Sequence, residues 1–371
     1  MHTSRVAALD LLRGLAAFAV AIPHYLIIAP AGSDVAERVS VLAVEVFFVL
    51  SGFVLAPQIL ACVRDGRPGN LGIFLVRRWM RTILPYLFAL VLISVIADQL
   101  LSADFVRYAL YVQNLFGQHN REDYYSVAWS LSIEEWFYVT FPLWLLIGTA
   151  CLRRSDTAGC VLLAVAFIAA VTVARTAFGD FANWGAQIRR VVSFRVDSIA
   201  YGFLLYVMVR AIEARVARWP WTSAIIAVAL FSIVAYVTFH ITAAAALPPP
   251  SRAAHWFPFG AAALGMAAIV LFHALRLALQ KVDKVAAFCA FIGRISYSVY
   301  LFHLMWALLV RSALGESPLA AQLAAYVGVC VAGSTVFYHY FERPILAARP
   351  TYRSIRVEPV LALAHGEGAR A

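Results

Sequence analysis

The sequence predicts an all-α integral membrane protein, a bundle of about ten transmembrane helices with both termini in the cytoplasm. Three observations predict it. Hydrophobic residues make up 63% of the 371 and charged residues only 13%, about half the charged share of an ordinary soluble domain. The apolar residues fall in runs of about 20, the length that crosses ~30 Å of hydrocarbon. The runs lack the period-two alternation of barrel strands, which leaves helices to satisfy the backbone in lipid.

In order, the spans are expected over roughly 8–29, 39–61, 82–101, 126–150, 159–178, 192–212, 222–243, 256–275, 290–311 and 319–341. The first carries Asp10 and Arg13 and has no small-residue cleavage site, so it reads as a retained helix rather than a signal peptide. The amphipathic stretch from Phe105 to Leu115 is too short to cross and is expected to lie in the interface. Residues 1–344 read as one membrane domain. The polar segment 345–371, broken by Pro350 and Pro359, reads as a mobile cytoplasmic tail.

Orientation follows from the basic residues. With the N-terminus inside, the inner segments hold Arg64, Arg67, Arg77, Arg78 and Arg81, then Arg276, Lys281, Lys284 and Arg294, then Arg343, Arg349, Arg353 and Arg356. Basic residues inside outnumber those outside by about two to one. One outer segment runs against the rule, with Arg175, Arg189, Arg190 and Arg195 against Asp180 and Asp197. It is either tolerated loop charge or a basic mouth that draws in an anionic acceptor.

Several classes fall away. The net charge of +10 is spread in short clusters between apolar spans, which is not a nucleic-acid surface. Cys62, Cys151, Cys160, Cys289 and Cys330 show no CxxC or other metal spacing, so no metal is expected. There is no Walker loop, HExxH or GxSxG, and no support for nucleotide hydrolysis or redox chemistry. No internal repeat of the transporter kind is evident.

Ionisable groups inside membrane helices are costly and point to function. Arg13 and His24 are eleven residues apart in the first span, nearly three turns, so they share one face about 16 Å apart along the axis. A guanidinium near the inner surface suits phosphate, and an imidazole further in can take a proton from a hydroxyl. The alternative is a snorkelling arginine and a hydrogen-bonded core histidine. Asp10 is placed to orient Arg13. Glu45 in the second span needs a partner, expected on the first helix, and Ser51-Gly52 allows close helix approach. Arg78 and Arg81 share a helical face and form either a phosphate clamp or an ordinary inner anchor. In Trp129-Ser-Leu-Ser132-Ile-Glu134-Glu135-Trp136-Phe-Tyr138, two adjacent carboxylates point about 100° apart. At least one of them should face a wet cavity or an arginine. Arg195 and Asp197, with Ser296, Tyr297, Tyr300 and His303, extend the polar lining.

Taken in order, these pieces resemble the bacterial type-three membrane O-acyltransferases, which acetylate O-antigen, exopolysaccharide and nodulation-factor sugars. The matching segments are Leu9-Asp10-Leu-Leu-Arg13-Gly14 through His24, Glu45-Val-Phe-Phe-Val-Leu-Ser51-Gly52-Phe53, Arg78-x-x-Arg81, Trp129 to Tyr138, Gly293-Arg-Ile-Ser-Tyr297-Ser-Val-Tyr300-Leu-Phe-His303, and Tyr340-Phe-Glu342-Arg-Pro344. The resemblance implies a multi-pass protein of the bacterial inner membrane. It would move an acyl group, usually acetyl, from cytosolic acyl-CoA to a hydroxyl of a cell-surface carbohydrate or glycolipid. It further implies a catalytic Arg13–His24 pair with Glu45, and donor phosphates held by Arg13, Arg78 and Arg81. The pocket would be lined by Asp10, Ser51, Trp129, Ser132, Glu134, Glu135, Tyr138, Arg195, Asp197, Tyr297, Tyr300 and His303. Acyl-CoA would be a substrate, with no permanently bound cofactor. His24 would act as general base, oriented by Glu45, Glu134 or Glu135, or carry the acyl group itself. Trp136 and Leu304-Met305 depart from the family's usual residues at those places, and the stand-alone form is expected. The rival is a transporter or flippase for lipid-linked sugars, using the same polar interior as a pathway.

Overall fold

The computed structural model describes residues 6–28, 33–118, 123–247, 252–280, 283–353, 355, 357, 358 and 360. Among them there is no strand, and ten helices are long and apolar enough to cross a membrane. In chain order they are α1 (Ala7–Ile28), α2 (Asp34–Asp65), α3 (Pro68–Ile96), the short α4 (Ala103–Ala109), α5 (Ala128–Leu152), α6 (Thr157–Phe178), the short α7 (Val192–Arg195), α8 (Ala200–Arg218), α9 (Pro220–Ala245), α10 (Ala253–Gln280), α11 (Asp283–Leu314), α12 (Leu319–Phe337) and α13 (Arg343–Ala347). The sixth crossing, Val192–Glu213, joins α7 to α8 through a tight turn at Val196–Ile199.

Helix ends follow local chemistry. The Ser33 side chain accepts from the Ala36 N–H at the start of α2, where Asp34 and Glu37 meet the positive end of the helix dipole. Gly66 closes the helix with φ 66°, a left-handed conformation that glycine adopts without strain. Pro68 then opens α3. The third span therefore begins well before residue 82. Arg77, Arg78 and Arg81 sit inside a helix that an apolar window alone would not enter.

α2 is the most buried helix, packed among α1, α8 and α10. Its contact with α8 is backbone to backbone. A Cβ on Gly52 would fall 1.9 Å from the Ile199 carbonyl oxygen, and one on Gly202 would fall 1.9 Å from that of Val49. The close approach read from Ser51-Gly52 is met by this second glycine. α1 lies against α11, where a Cβ on Gly293 would stand 2.6 Å from the Asp10 Cβ. α9 and α12 are the least buried and turn most of their apolar surface outward.

The stretch from Phe105 to Leu115 is not an interfacial helix. α4 ends at Ala109, and the chain then turns into the protein. The Tyr111 ring stacks on Tyr86 at 4.5 Å, and Gln113 and Asn114 are buried. Gln113 Nε2 donates to Ser132 Oγ at 2.6 Å, and Asn114 Nδ2 donates to the carbonyls of Trp129 at 2.9 Å and Arg190 at 2.5 Å. Trp136 Nε1 donates to the Tyr111 carbonyl at 2.9 Å, so the residue that departs from the family pattern fastens this loop. Hydrogen-bonding demand, not amphipathicity, sets its place.

Of the segment 345–371, read from the sequence as a mobile tail, residues 345–353, 355, 357, 358 and 360 are described and pack on the bundle, while the others lie outside the described residues. Arg77 Nη1 donates to the Pro350 carbonyl at 2.5 Å. Asn70 exchanges hydrogen bonds with the Arg353 backbone at 2.9 and 3.0 Å, and Tyr352 donates to Gln58 Oε1 at 3.0 Å. Tyr352, Ile355 and Val360 pack on the core.

Candidate active site

A cavity of about 380 Å³ opens where α1, α2, α3, α5, α11 and the segment beyond α13 meet. One end is cationic. Arg77, Arg78 and Arg81 of α3 and Arg349 all line it, together with Gln58 and Tyr352. Arg78 Nη2 donates to Gln58 Oε1 at 3.3 Å, and its Nε is buried without a partner. None of the four arginines is in an ion pair among the described residues. Burial, with Arg78, Arg81 and Arg77 beside it, pulls the Arg349 guanidinium down to about 10, so it remains a cation at neutral pH. Burial pushes the Tyr352 hydroxyl up to about 12, keeping it a neutral donor. Cations crowded together, none in an ion pair among the described residues, make a site for a polyanion.

Further along, polar side chains line the cavity among apolar ones. Arg13 lines it, with Nη1 on Asp10 Oδ1 at 2.9 Å, which is the orienting contact the spacing suggested. Glu134 lines it too, accepting from Ser51 Oγ at 2.5 Å and from the Tyr138 hydroxyl on the same oxygen. Tyr297 donates to the Thr82 carbonyl at 2.8 Å. The far end is closed by Phe47, Ser130, Leu131 and Tyr300, and the Ser130 and Tyr300 hydroxyls meet at 2.5 Å.

One layer further on lies a histidine pair. His24 Nδ1 is 2.8 Å from His303 Nε2, with the rings parallel within 6°. His303 Nδ1 is 2.8 Å from the Tyr300 carbonyl. A carbonyl only accepts, so His303 Nδ1 carries the proton and its Nε2 is bare. His24 must then donate through Nδ1, which leaves its own Nε2 as a free lone pair. This chain fixes the tautomer a general base needs. Arg189 and Arg190 are close enough to act on His24 through their charge.

The structure thus divides the residues singled out by sequence. Asp10, Arg13, Ser51, Arg78, Arg81, Glu134, Tyr138, Tyr297 and Tyr300 line one cavity. His24 and His303 lie beyond its floor, so Arg13 and His24 share a helix but not this chamber. Glu45 finds its partner on α7, not on the first helix: Arg195 Nη2 meets Glu45 Oε2 at 2.5 Å with both side chains buried. Asp197 pairs with Arg175 at 3.1 Å. These four charges brace α2, α6 and the start of the sixth crossing, and none lines the cavity. Ser132 holds Gln113, and Glu135 is buried beside Thr82 and Arg78 without itself lining the chamber. Trp129 packs edge-on to Phe48 and under Arg189. Sequence reasoning missed Gln58, Arg349 and Tyr352. The run of arginines after Pro344 was their only signal, and it reads equally as inner-surface charge.

This arrangement, with an anion-binding mouth on one side of the Ser130–Tyr300 floor and an oriented imidazole on the other, suits group transfer from a large anionic donor. A family model described as an acyltransferase domain, that of the acyltransferase 3 family, matches residues 6–339. The chain belongs to that family. Neither a curated protein nor a solved structure gives a match to it. The family assignment makes the protein a multi-pass membrane acyltransferase. In this acyltransferase the matched span contains Arg13, His24, Glu45, the α3 arginines and His303, while Arg349 and Tyr352 lie beyond it.

Proposed function

We propose that the acyltransferase moves an acyl group, acetyl in the first instance, from cytosolic acyl-CoA to a hydroxyl of a cell-surface carbohydrate or glycolipid. The single observation that carries this is the cavity with four unpaired arginines at its mouth and Tyr300, the carbonyl partner of His303, at its floor. Coenzyme A has its phosphates at one end and its thioester at the tip of a thin, flexible arm. Phosphates bound by Arg77, Arg78, Arg81 and Arg349 would let that arm run past Arg13 toward Tyr300. The count of basic residues supports a cytosolic mouth, in a protein read as resident in the bacterial inner membrane.

The Ser130–Tyr300 contact must part for the reaction; the acceptor oxygen then attacks the thioester carbonyl carbon as its proton passes to His24 Nε2. The carbon–sulfur bond breaks, and the leaving thiolate recovers the proton from His24. His303 keeps His24 Nδ1–H engaged, so Nε2 faces the hydroxyl. Glu134, held by Ser51 and Tyr138, lines the path of the arm. Glu45 braces Arg195 instead of orienting His24. Transfer through an acyl group on His24 Nε2 uses the same tautomer; a burst of free coenzyme A before acceptor is added distinguishes that route from direct transfer.

The test uses the full chain in detergent with labelled acetyl-CoA and a cell-envelope glycan fraction. Label should reach sugar hydroxyls with no membrane gradient present. Transport-only behaviour, with no label on sugar and no free thiol released, would sink the reading. Mass spectrometry of surface glycans from cells with and without the protein should differ by one acyl unit.

A further inference from the structure

The end of the bundle that holds the histidine pair carries four arginines, three of them in ion pairs among the described residues. Arg175 is paired with Asp197, Arg195 with Glu45, and Arg190 with Asp123 at 3.3 Å. Arg189 is left over. It is only 5% exposed, forms no ion pair among the described residues, and its Nε is buried with no hydrogen-bond partner. Its guanidinium lies 4.9 Å from the Trp129 ring and 5.8 Å from the Trp184 ring. An unpaired buried charge costs several kcal/mol, and two ring faces return only about 1–2 kcal/mol. A shortfall of that kind is met when a ligand brings the missing anion.

Neighbouring groups share the deficit. The Trp184 indole N–H is buried without an acceptor, as is Arg195 Nη1. Trp184 and Arg195 both pack on Phe257, at 4.8 and 5.3 Å, so three unsatisfied donors surround one locus. Indole faces also suit the apolar C–H face of a sugar ring, and His24 lies within electrostatic reach of Arg189. Burial, with Arg190 alongside, lowers the Arg189 guanidinium to about 9, which leaves it cationic at neutral pH.

We infer that Arg189, between Trp129 and Trp184, is the acceptor-binding anchor of the acyltransferase, and that its acceptor is an anionic sugar carrying a carboxylate or a phosphate. This rests on the acyltransferase reading for which molecule is acylated, but the site itself is independent of the donor cavity. The guanidinium forks onto the anion, the indoles cover the ring, and a hydroxyl of the same sugar reaches His24 Nε2.

Binding is measured as the dose-dependent shift in thermal unfolding of the full chain in neutral detergent. The probes are glucuronate, glucose 1-phosphate, glucose, inorganic phosphate, phosphatidylglycerol added to the micelle, and coenzyme A. The wild type should give a saturable shift with the two anionic sugars and none with glucose. Arg189→Gln should weaken that shift about tenfold or more, the usual loss for a charge-assisted pair, and leave the coenzyme A shift intact. Arg349→Gln should do the reverse, which keeps failure of this site distinct from failure of the donor reading. Equal shifts with glucose and glucuronate in the wild type would overturn the inference, and that comparison needs no variant. So would an unchanged anionic-sugar shift in Arg189→Gln or Arg189→Lys. Saturation by inorganic phosphate or phosphatidylglycerol alone, without preference for the sugars, would make the site a simple ion or lipid seat and also overturn it. In a turnover assay Arg189→Gln should raise KM for the acceptor. A fall in kcat with KM unchanged would mark a transition-state role instead.

Discussion

The two ends of this bundle treat buried charge in opposite ways. At the cavity mouth, four arginines are gathered with no ion pair among the described residues, on a helix and on a segment that folds back against it. At the histidine end, carboxylates are supplied almost one for one: Glu45 to Arg195, Asp197 to Arg175, Asp123 to Arg190. The first pattern leaves binding free energy for a mobile polyanion. The second locks helices together and, of the four arginines there, leaves Arg189 without an ion pair among the described residues. A cluster of arginines therefore means different things according to what is placed opposite it, and only the pairing tells them apart.

That contrast can be tested most severely at His24, which belongs to neither charge pattern. His24→Ala should lower transfer by about 10²–10⁴-fold with the fold kept, as expected for loss of a general base. Wild-type turnover in that variant would remove the division into a binding end and a reacting end. Next comes His303. It acts only through His24, so His303→Ala should cost kcat about 10–100-fold, the range for losing a group that orients a histidine. The donor KM should stay put, and His303→Gln should recover part of the rate. Equal losses in kcat and donor affinity would mean that His303 merely fills space.

At the mouth the effect should be smaller and of another kind. Arg78→Ala should raise the donor KM about tenfold through one lost charge-assisted contact, with kcat nearly unchanged and the loss shrinking at high salt. A variant that loses kcat instead would place Arg78 with the structural charges. The smallest effect concerns pH. Arg349 is a cation below about 10, so its contribution to donor affinity is constant from pH 6 to 9 and disappears only as pH rises through 10. In a profile of donor KM, a rise centred near neutrality would assign the mouth's affinity to some other group.

Much was legible in the sequence because its causes are local. Ten spans follow from apolar run lengths, and helices follow from the need to pair every backbone group in lipid. The Arg13–Asp10 contact follows from a three-residue spacing, and the close approach at Gly52 follows from the missing side chain. The ordered motifs of the family were likewise readable as strings. Other features depend on which helices become neighbours, and spacing does not encode that. Glu45 was assigned a partner on α1, but α7 presents Arg195 to it across 150 residues. Arg13 and His24 share a helix face, yet Tyr300 and Ser130 close the cavity between their levels. His303 reaches His24 from 279 residues away and sets its tautomer, while Arg349 returns to the mouth from beyond the last crossing. Run length and periodicity constrain one rod at a time. Whether a charge is paired, and which nitrogen of an imidazole is bare, depends on contacts between rods, and only the packed bundle decides those.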